Sequence, residues 1–149
     1  GGLKYLEIDK EQKYLGVEYS AVGKISPQLD MILALNWLQA EQTDGNSVLG
    51  LPKWAGTAAL VYKPTEDLSV IGRLNYSAKA RIRHSDPLDV PAYTTFDLGL
   101  NYKTKISSKD VTFSLMCNNL FDKRYWYASG SSIALGMPRT VSLSASCDF

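Results

Sequence analysis

The sequence predicts an all-β chain folded as an antiparallel up-and-down meander of about seven to eight strands. Three observations predict it. Apolar and polar residues alternate with period two in segment after segment, the mark of strands with two unlike faces. Several segments run roughly 10 to 16 residues, against about 5 to 6 for strands of ordinary globular proteins. The joins between them alternate between short and long. Helical periodicity is sustained nowhere, and Gly or Pro interrupts most windows long enough to hold a helix.

In chain order, Leu3–Asp9 is a short opening segment that would be the eighth strand, and Lys13–Ser26, Gln28–Gln42 and Trp54–Lys63 alternate more weakly. The clearest alternation runs from Leu68 to Arg83: Leu68, Val70, Leu74, Tyr76, Ala80 and Ile82 share one face, and Ser69, Arg73, Asn75, Lys79, Arg81 and Arg83 the other. Phe96, Leu98, Leu100 and Tyr102 then oppose Asp97, Gly99, Asn101 and Lys103. Asp110–Asn119 follows, and Val141, Leu143, Ala145, Cys147 and Phe149 oppose Thr140, Ser142, Ser144, Ser146 and Asp148 in the last segment. Joins at Ser26–Gln28, Pro64–Asp67 and Thr104–Lys109 are tight, whereas those at Thr43–Lys53, His84–Ala92 and Phe121–Pro138 are long.

Short turns on one side and long loops on the other are the habit of outer-membrane barrels, which a soluble sandwich has no reason to adopt. With 149 residues, 45% hydrophobic and 21% charged, and a mean hydropathy of -0.14, composition does not separate the two, because a barrel hides its apolar surface by alternation. The longest apolar run, Met31–Leu35, is far short of the ~20 residues a membrane helix needs. Placing Arg73 on the lipid side would cost roughly 2–4 kcal/mol near the midplane. A one-residue slip is thereby penalised and the register set. Trp37, Trp54, Tyr62, Tyr76, Tyr102 and Phe149 fall at or near strand ends, where interfacial girdles belong, although each alone also suits an ordinary core.

The net charge of +1 gives no global field toward nucleic acid, so no nucleic-acid partner is expected. No signal peptide opens the chain, which reads as mature or truncated. Cys117 and Cys147 fall on neighbouring strands but at opposite heights, so no disulfide is expected. No cofactor and no metal site are expected. Asp86 and Asp89 read as a solvated turn rather than a calcium site. The single His84, set among arginines, is a poor general base, and no catalytic residue is expected.

Near the C-terminus, Asn118-Asn119-Leu120-Phe121-Asp122-Lys123-Arg124-Tyr125 resembles, almost letter for letter, a signature of the TonB-dependent receptors of the bacterial outer membrane. Gly136-Met137-Pro138-Arg139-Thr140-Val141 is similar to that family's entry into its last strand, and the terminal Phe149 to its assembly signal. Upstream, Gly16-Val17-Glu18, Leu51-Pro52-Lys53 and Val90-Pro91-Ala92-Tyr93-Thr94-Thr95-Phe96-Asp97 resemble further family segments in family order, so the likeness covers about Leu15 to Phe149. Ala92 stands where a glycine is common, and Cys147 where an aromatic or polar residue is. The resemblance implies that residues 1–149 are the C-terminal segment of a 22-stranded transmembrane β-barrel. Such receptors bind an iron-siderophore or similar chelate outside the cell. They import it with energy from the TonB complex, which engages a missing N-terminal part; the lumen-filling plug is absent from these residues too.

For ligand contact the candidates are Arg81, Arg83, His84, Trp54 and Tyr127. Arg73, Lys79, Arg81, Arg83 and His84 make a basic stripe rising along one polar face, suited to charge-assisted pairs with an anionic chelate. The plainer reading is a water-lined wall, or pairing with acids of the absent plug. Trp54, Trp126 and Tyr127 are placed to stack on a ligand or, more simply, to anchor in the interface. Asp122, Lys123, Arg124 and Arg139 read as fold residues that cap exposed backbone groups or pair with one another. Two other classes compete with the receptor fragment. A self-contained small outer-membrane barrel with a structural or adhesive role needs a tightly filled interior, whereas Ser77, Gly99, Ser142, Ser144 and Ser146 are small. A soluble β-sandwich binding module needs a second layer against the apolar rows.

Overall fold

The computed structural model describes residues 2–8, 12–46, 48–85, 88–129 and 132–149, with side chains described from residue 12 onward. Among them no helix forms. Eight strands make one antiparallel sheet: β1 (Gly2–Ile8), β2 (Gln12–Ser26), β3 (Leu29–Gln42), β4 (Trp54–Tyr62), β5 (Leu68–Ser77), β8 (Tyr93–Ile106), β9 (Lys109–Asn118) and β12 (Thr140–Cys147), in the order β1-β2-β3-β4-β5-β8-β9-β12. It is a pure meander. Two small hairpins interrupt it, β6 (Ala80–Arg83) with β7 (Leu88–Val90) and β10 (Trp126–Ser129) with β11 (Ser132–Leu135), both inside the long loops. Asp9, the last residue of the expected opening strand, lies outside the described residues.

The turns follow local chemistry. Ser107 and Ser108 alone join β8 to β9, both at positive φ (51° and 66°), as a two-residue type I′ hairpin requires. The β2–β3 turn absorbs a bulge between Lys24 and Ser26. Lys24 and Lys63 both reach Asp30 there, at 3.1 and 3.7 Å, but the lysines are well exposed and such pairs add little.

Pairing places like residues in rows. One face carries Tyr19–Leu35, Ala21–Leu33–Ala58–Leu74–Phe96, Met31–Leu60, and Leu98–Cys117–Val141 across successive strands. The other carries Thr57–Asn75–Thr95, Arg73–Asp97 and Asn101–Ser114–Ser144. The period-two reading therefore holds along β2, β3, β4, β5, β8, β9 and β12. Among the described residues no second layer covers the apolar face: Leu60 is 47% exposed, Leu98 41% and Leu143 74%, and none of the large side chains is fully buried. A face so apolar and so open belongs in hydrocarbon, not in water. Trp54 and Tyr62 end the same nine-residue strand, about 26 Å apart along it. Tilted by 35–45°, that is roughly 20 Å of height, most of the ~25 Å band of a membrane barrel.

β1 and β12 are the two edges of the sheet and do not pair with each other. A closed eight-stranded barrel thus lacks its closing pair, and a sandwich lacks its second sheet. Both cysteines are free; Cys117 lies opposite Val141 and Cys147 opposite Val111, roughly 20 Å farther along β12.

One expected strand is corrected. The alternation from Leu68 to Arg83 is not a single strand: β5 ends at Ser77, and Ala80–Arg83 turns back on Leu88–Val90. Ala80 and Ile82 do not face lipid but are buried, at 5% and 4% exposure, in a small hairpin core with Val90 at 3%.

Candidate functional site

The long loops cluster at one end of the sheet, built upward from a polar clamp. Asp97 on β8 is its centre. Its Oδ2 accepts from Arg73 Nε at 3.0 Å and Asn75 Nδ2 at 2.9 Å, both on β5, while Oδ1 accepts the Asn119 backbone N–H at 2.9 Å. Buried Asn119, at φ 53°, sits in the left-handed region that asparagine tolerates best after glycine. Its side chain donates to the carbonyls of Lys123 (2.9 Å) and Met137 (3.0 Å) and accepts the Lys123 N–H (2.8 Å). One asparagine thus fastens both ends of the loop between β9 and β12.

Asp122, also at positive φ, accepts the Arg139 N–H at 3.0 Å, and Arg139 Nη1 reaches the Leu120 carbonyl at 3.4 Å. These charges cap backbone groups, one of the two structural roles expected of them. Aromatic contacts reinforce the clamp: Tyr125 stacks on Tyr93 with centroids 4.4 Å apart, and Phe121 meets Phe96 edge-on at 5.3 Å. Gly136 donates to the Tyr125 carbonyl at 2.8 Å, and a Cβ at Gly136 would enter the Tyr125 ring, so only glycine fits. Burial, then the neighbouring Tyr93 hydroxyl, pushes the Tyr125 phenol above its usual pKa.

The signature residues are therefore a structural latch. The sequence pointed to the segment but not to Asp97 and Asn119 as its centre. Their one visible signal was that both lie inside family-like motifs.

Above the clamp stand the hairpins. The expected basic stripe is broken up: Arg73 pairs with Asp97 on the wall, while Arg81 on β6 pairs with Asp89 on β7. The acids that answer these arginines come from this same chain. Arg83 and His84 lie at the turn of the β6–β7 hairpin, and Tyr127 lies on β10, which packs against β6 and β7. Four of the five expected ligand residues thus share two packed hairpins. Trp54 is apart, in the apolar row beside Trp37, with ring centroids 6.5 Å apart. It nonetheless borders a cavity of about 440 Å³ that Arg81 and Asp89 also line. The Gly50 N–H bonds the Arg81 carbonyl at 2.7 Å, tying the β3–β4 loop to the hairpin. Asp86, the other half of the rejected calcium pair, lies outside the described residues.

The Arg81 hydrogen bond holds the Asp89 carboxyl below its ordinary pKa. A depressed folded value means that the pair's contribution is present above the unfolded carboxylate pKa and is lost as pH falls through the lower folded one. The β6–β7 hairpin is expected to keep its amide exchange protection at pH 5 and to lose it only below the ordinary aspartate range. Asp89→Asn should remove that pH dependence; a wild-type hairpin that opens already between pH 6 and 5 would contradict the pairing.

The TonB dependent receptor-like β-barrel family model matches residues 2–120. The metal-pseudopaline receptor CntO of Pseudomonas aeruginosa is 28% identical over 158 aligned positions, covering 97% of this chain and 22% of the relative. The ferrichrome receptor FcuA of Yersinia enterocolitica is 25% identical, covering 93% and 20%. The crystal structure of BauA, the ferric preacinetobactin receptor of Acinetobacter baumannii, superposes with a TM-score of 0.83 at 27% identity, covering 99% of this chain and 26% of that one. The chain spans about a fifth of the length of these two curated relatives. With an open single-layer wall, an apolar outer face and this likeness together, the chain belongs to the TonB-dependent receptor β-barrel family.

Proposed function

We propose that this chain is the C-terminal part of the wall of a bacterial outer-membrane receptor. That receptor binds an iron-siderophore or a similar chelate and imports it with TonB-derived energy. The observation that carries the reading is the wall itself: an unclosed meander, apolar and exposed on one face and polar on the other, that fits the barrel of a ferric-chelate receptor along 99% of its length. Ligand capture falls to the loop side, where Arg81, Arg83, His84 and Tyr127 sit on packed hairpins and Trp54 at their base. The Arg81 guanidinium, held on the β6–β7 hairpin by Asp89, would meet a chelate carboxylate or phenolate by sharing or exchanging that pair. The plug and the TonB contact belong to parts of the receptor beyond this chain.

The test is uptake of radioactive iron chelates by cells carrying the intact gene or its deletion, with and without TonB. Energy-dependent uptake of at least one chelate, lost with either gene, is the expected result. Uptake unaffected by deletion across catecholate, hydroxamate and carboxylate chelates would overturn the reading. For the site, Arg81→Ala and Tyr127→Ala are each expected to weaken chelate binding about tenfold, a contact worth ~1.4 kcal/mol. Unchanged fluorescence titrations in both variants would remove these hairpins from the ligand path.

A further inference from the structure

The polar face of the wall is not polar throughout. Val22 pairs with Ile32 across β2 and β3, Val61 with Ile71 across β4 and β5, and Gly99 stands between Ile71 and Met116 in the same row. The register puts all of them on the face of Arg73 and Asp97 and turns them away from the face of Leu60 and Leu98. A Cβ at Gly99 would fall 2.7 Å from Ile71 Cγ2 and 2.8 Å from Met116 Cε, so these two side chains close over the glycine as one surface. Val61 lies diagonal to Ile32, which faces Ala59 two residues earlier on β4. An apolar band thus crosses the wall from β2 to β9 on the side away from lipid.

Water is a poor neighbour for that band. Val22 is 78% exposed and Ile32 39%, and among the described residues no element covers them. Contiguous apolar surface of this kind marks a contact site. Lipid does not reach it, because lipid lies against the opposite face. Its borders describe what does. Toward the long loops Arg73 is answered by Asp97, whereas toward the short turns Lys24 and Lys63 share the one carboxylate of Asp30, at 3.1 and 3.7 Å, and positive charge is left in excess. A fitting partner is apolar, carries an acid on its short-turn side and stands inside the barrel. The chain covers 22% of CntO and 26% of BauA, so receptors of this kind have ample chain outside the matching part to supply one.

We propose that this band is the seat on which the plug of the same receptor, which lies outside residues 1–149, rests through an apolar surface bordered by an acid. The seat presupposes the reading of the chain as a receptor wall and adds the place and the chemistry of the contact. Apolar contact is non-directional, so the band sets where the plug leans rather than which atoms pair.

The test is photo-cross-linking of the full receptor in outer membranes, with benzoylphenylalanine replacing Ile71 or, on the other face, Leu98, and the linked peptides identified by mass spectrometry. Position 71 is expected to capture the plug, and position 98 lipid alone. Val22→Asp with Ile71→Asp should raise amide exchange in the plug about tenfold, roughly the loss of one buried aliphatic side chain, while the heat-modifiable mobility of the barrel stays as in the wild type. Cross-links from position 71 that never reach the plug, or plug exchange unaltered in the double variant, would overturn the seat and leave the wall reading standing. Lipid captured at position 71 would instead overturn the wall reading beneath it.

Discussion

Asp97→Ala is expected to destabilise the loop-side end of the sheet by about 3 kcal/mol, because it removes three acceptor contacts at once and leaves Arg73 without its partner. The side chain of Asp97 is only 11% exposed and that of Arg73 35%, so solvent screens part of the pair's energy, and the value sits at the low end for a buried ion pair. Asp97→Asn keeps an oxygen for the Asn119 N–H and should lose roughly half as much. The damage should be local first. Amide protection is expected to fall in residues 119–139, whose two ends Asn119 holds together, before it falls in β2 or β3. The measurement is urea unfolding of the receptor in lipid vesicles together with hydrogen exchange. An unchanged midpoint in Asp97→Ala would mean that the clamp carries no weight, and the signature segment would need another explanation.

That clamp also shows where reading the sequence stops. The faces of β2, β3, β4, β5, β8, β9 and β12 are legible because lipid and water select side chains at every second position, a constraint that each residue states alone. The clamp is a relation between positions 22 apart in sequence, Asp97 and Asn119. On the sequence Asp97 is one more polar residue on a polar face, indistinguishable from Asn101 or Lys103. The break after Ser77 was hidden for the opposite reason: Ala80 and Ile82 continue the alternation perfectly, yet they serve a different core. Period two reports that a segment is a strand with an apolar side, not which sheet it joins. The four-residue strands of the β10–β11 hairpin are too short for alternation to reveal. The candidate ligand residues share that blindness: alternation puts Arg81 and Arg83 on a wall strand, and they stand instead on a hairpin whose turn carries His84, a residue the sequence already assigns to a loop.

The second large effect concerns the face itself. Leu98 lies opposite Gly72 and Cys117, midway along β8 between the levels of Tyr76 and Tyr102, where hydrocarbon is deepest. Leu98→Arg is expected to cost about 2–4 kcal/mol of folding free energy in a bilayer, since the guanidinium must either desolvate or drag water inward. Asn101→Arg, three residues along the same strand but on the polar face, should cost under about 1 kcal/mol, because its side chain emerges into water and gives up only the exposed bond from Ser114. The contrast isolates orientation from strand propensity, as both changes introduce the same residue into the same strand. Folding into phospholipid vesicles, followed by the heat-modifiable mobility of the receptor on gels, reads both. Equal tolerance of the two arginines would mean that Leu98 does not face lipid, and by the register shared across β5, β8, β9 and β12, neither would the rest of its row.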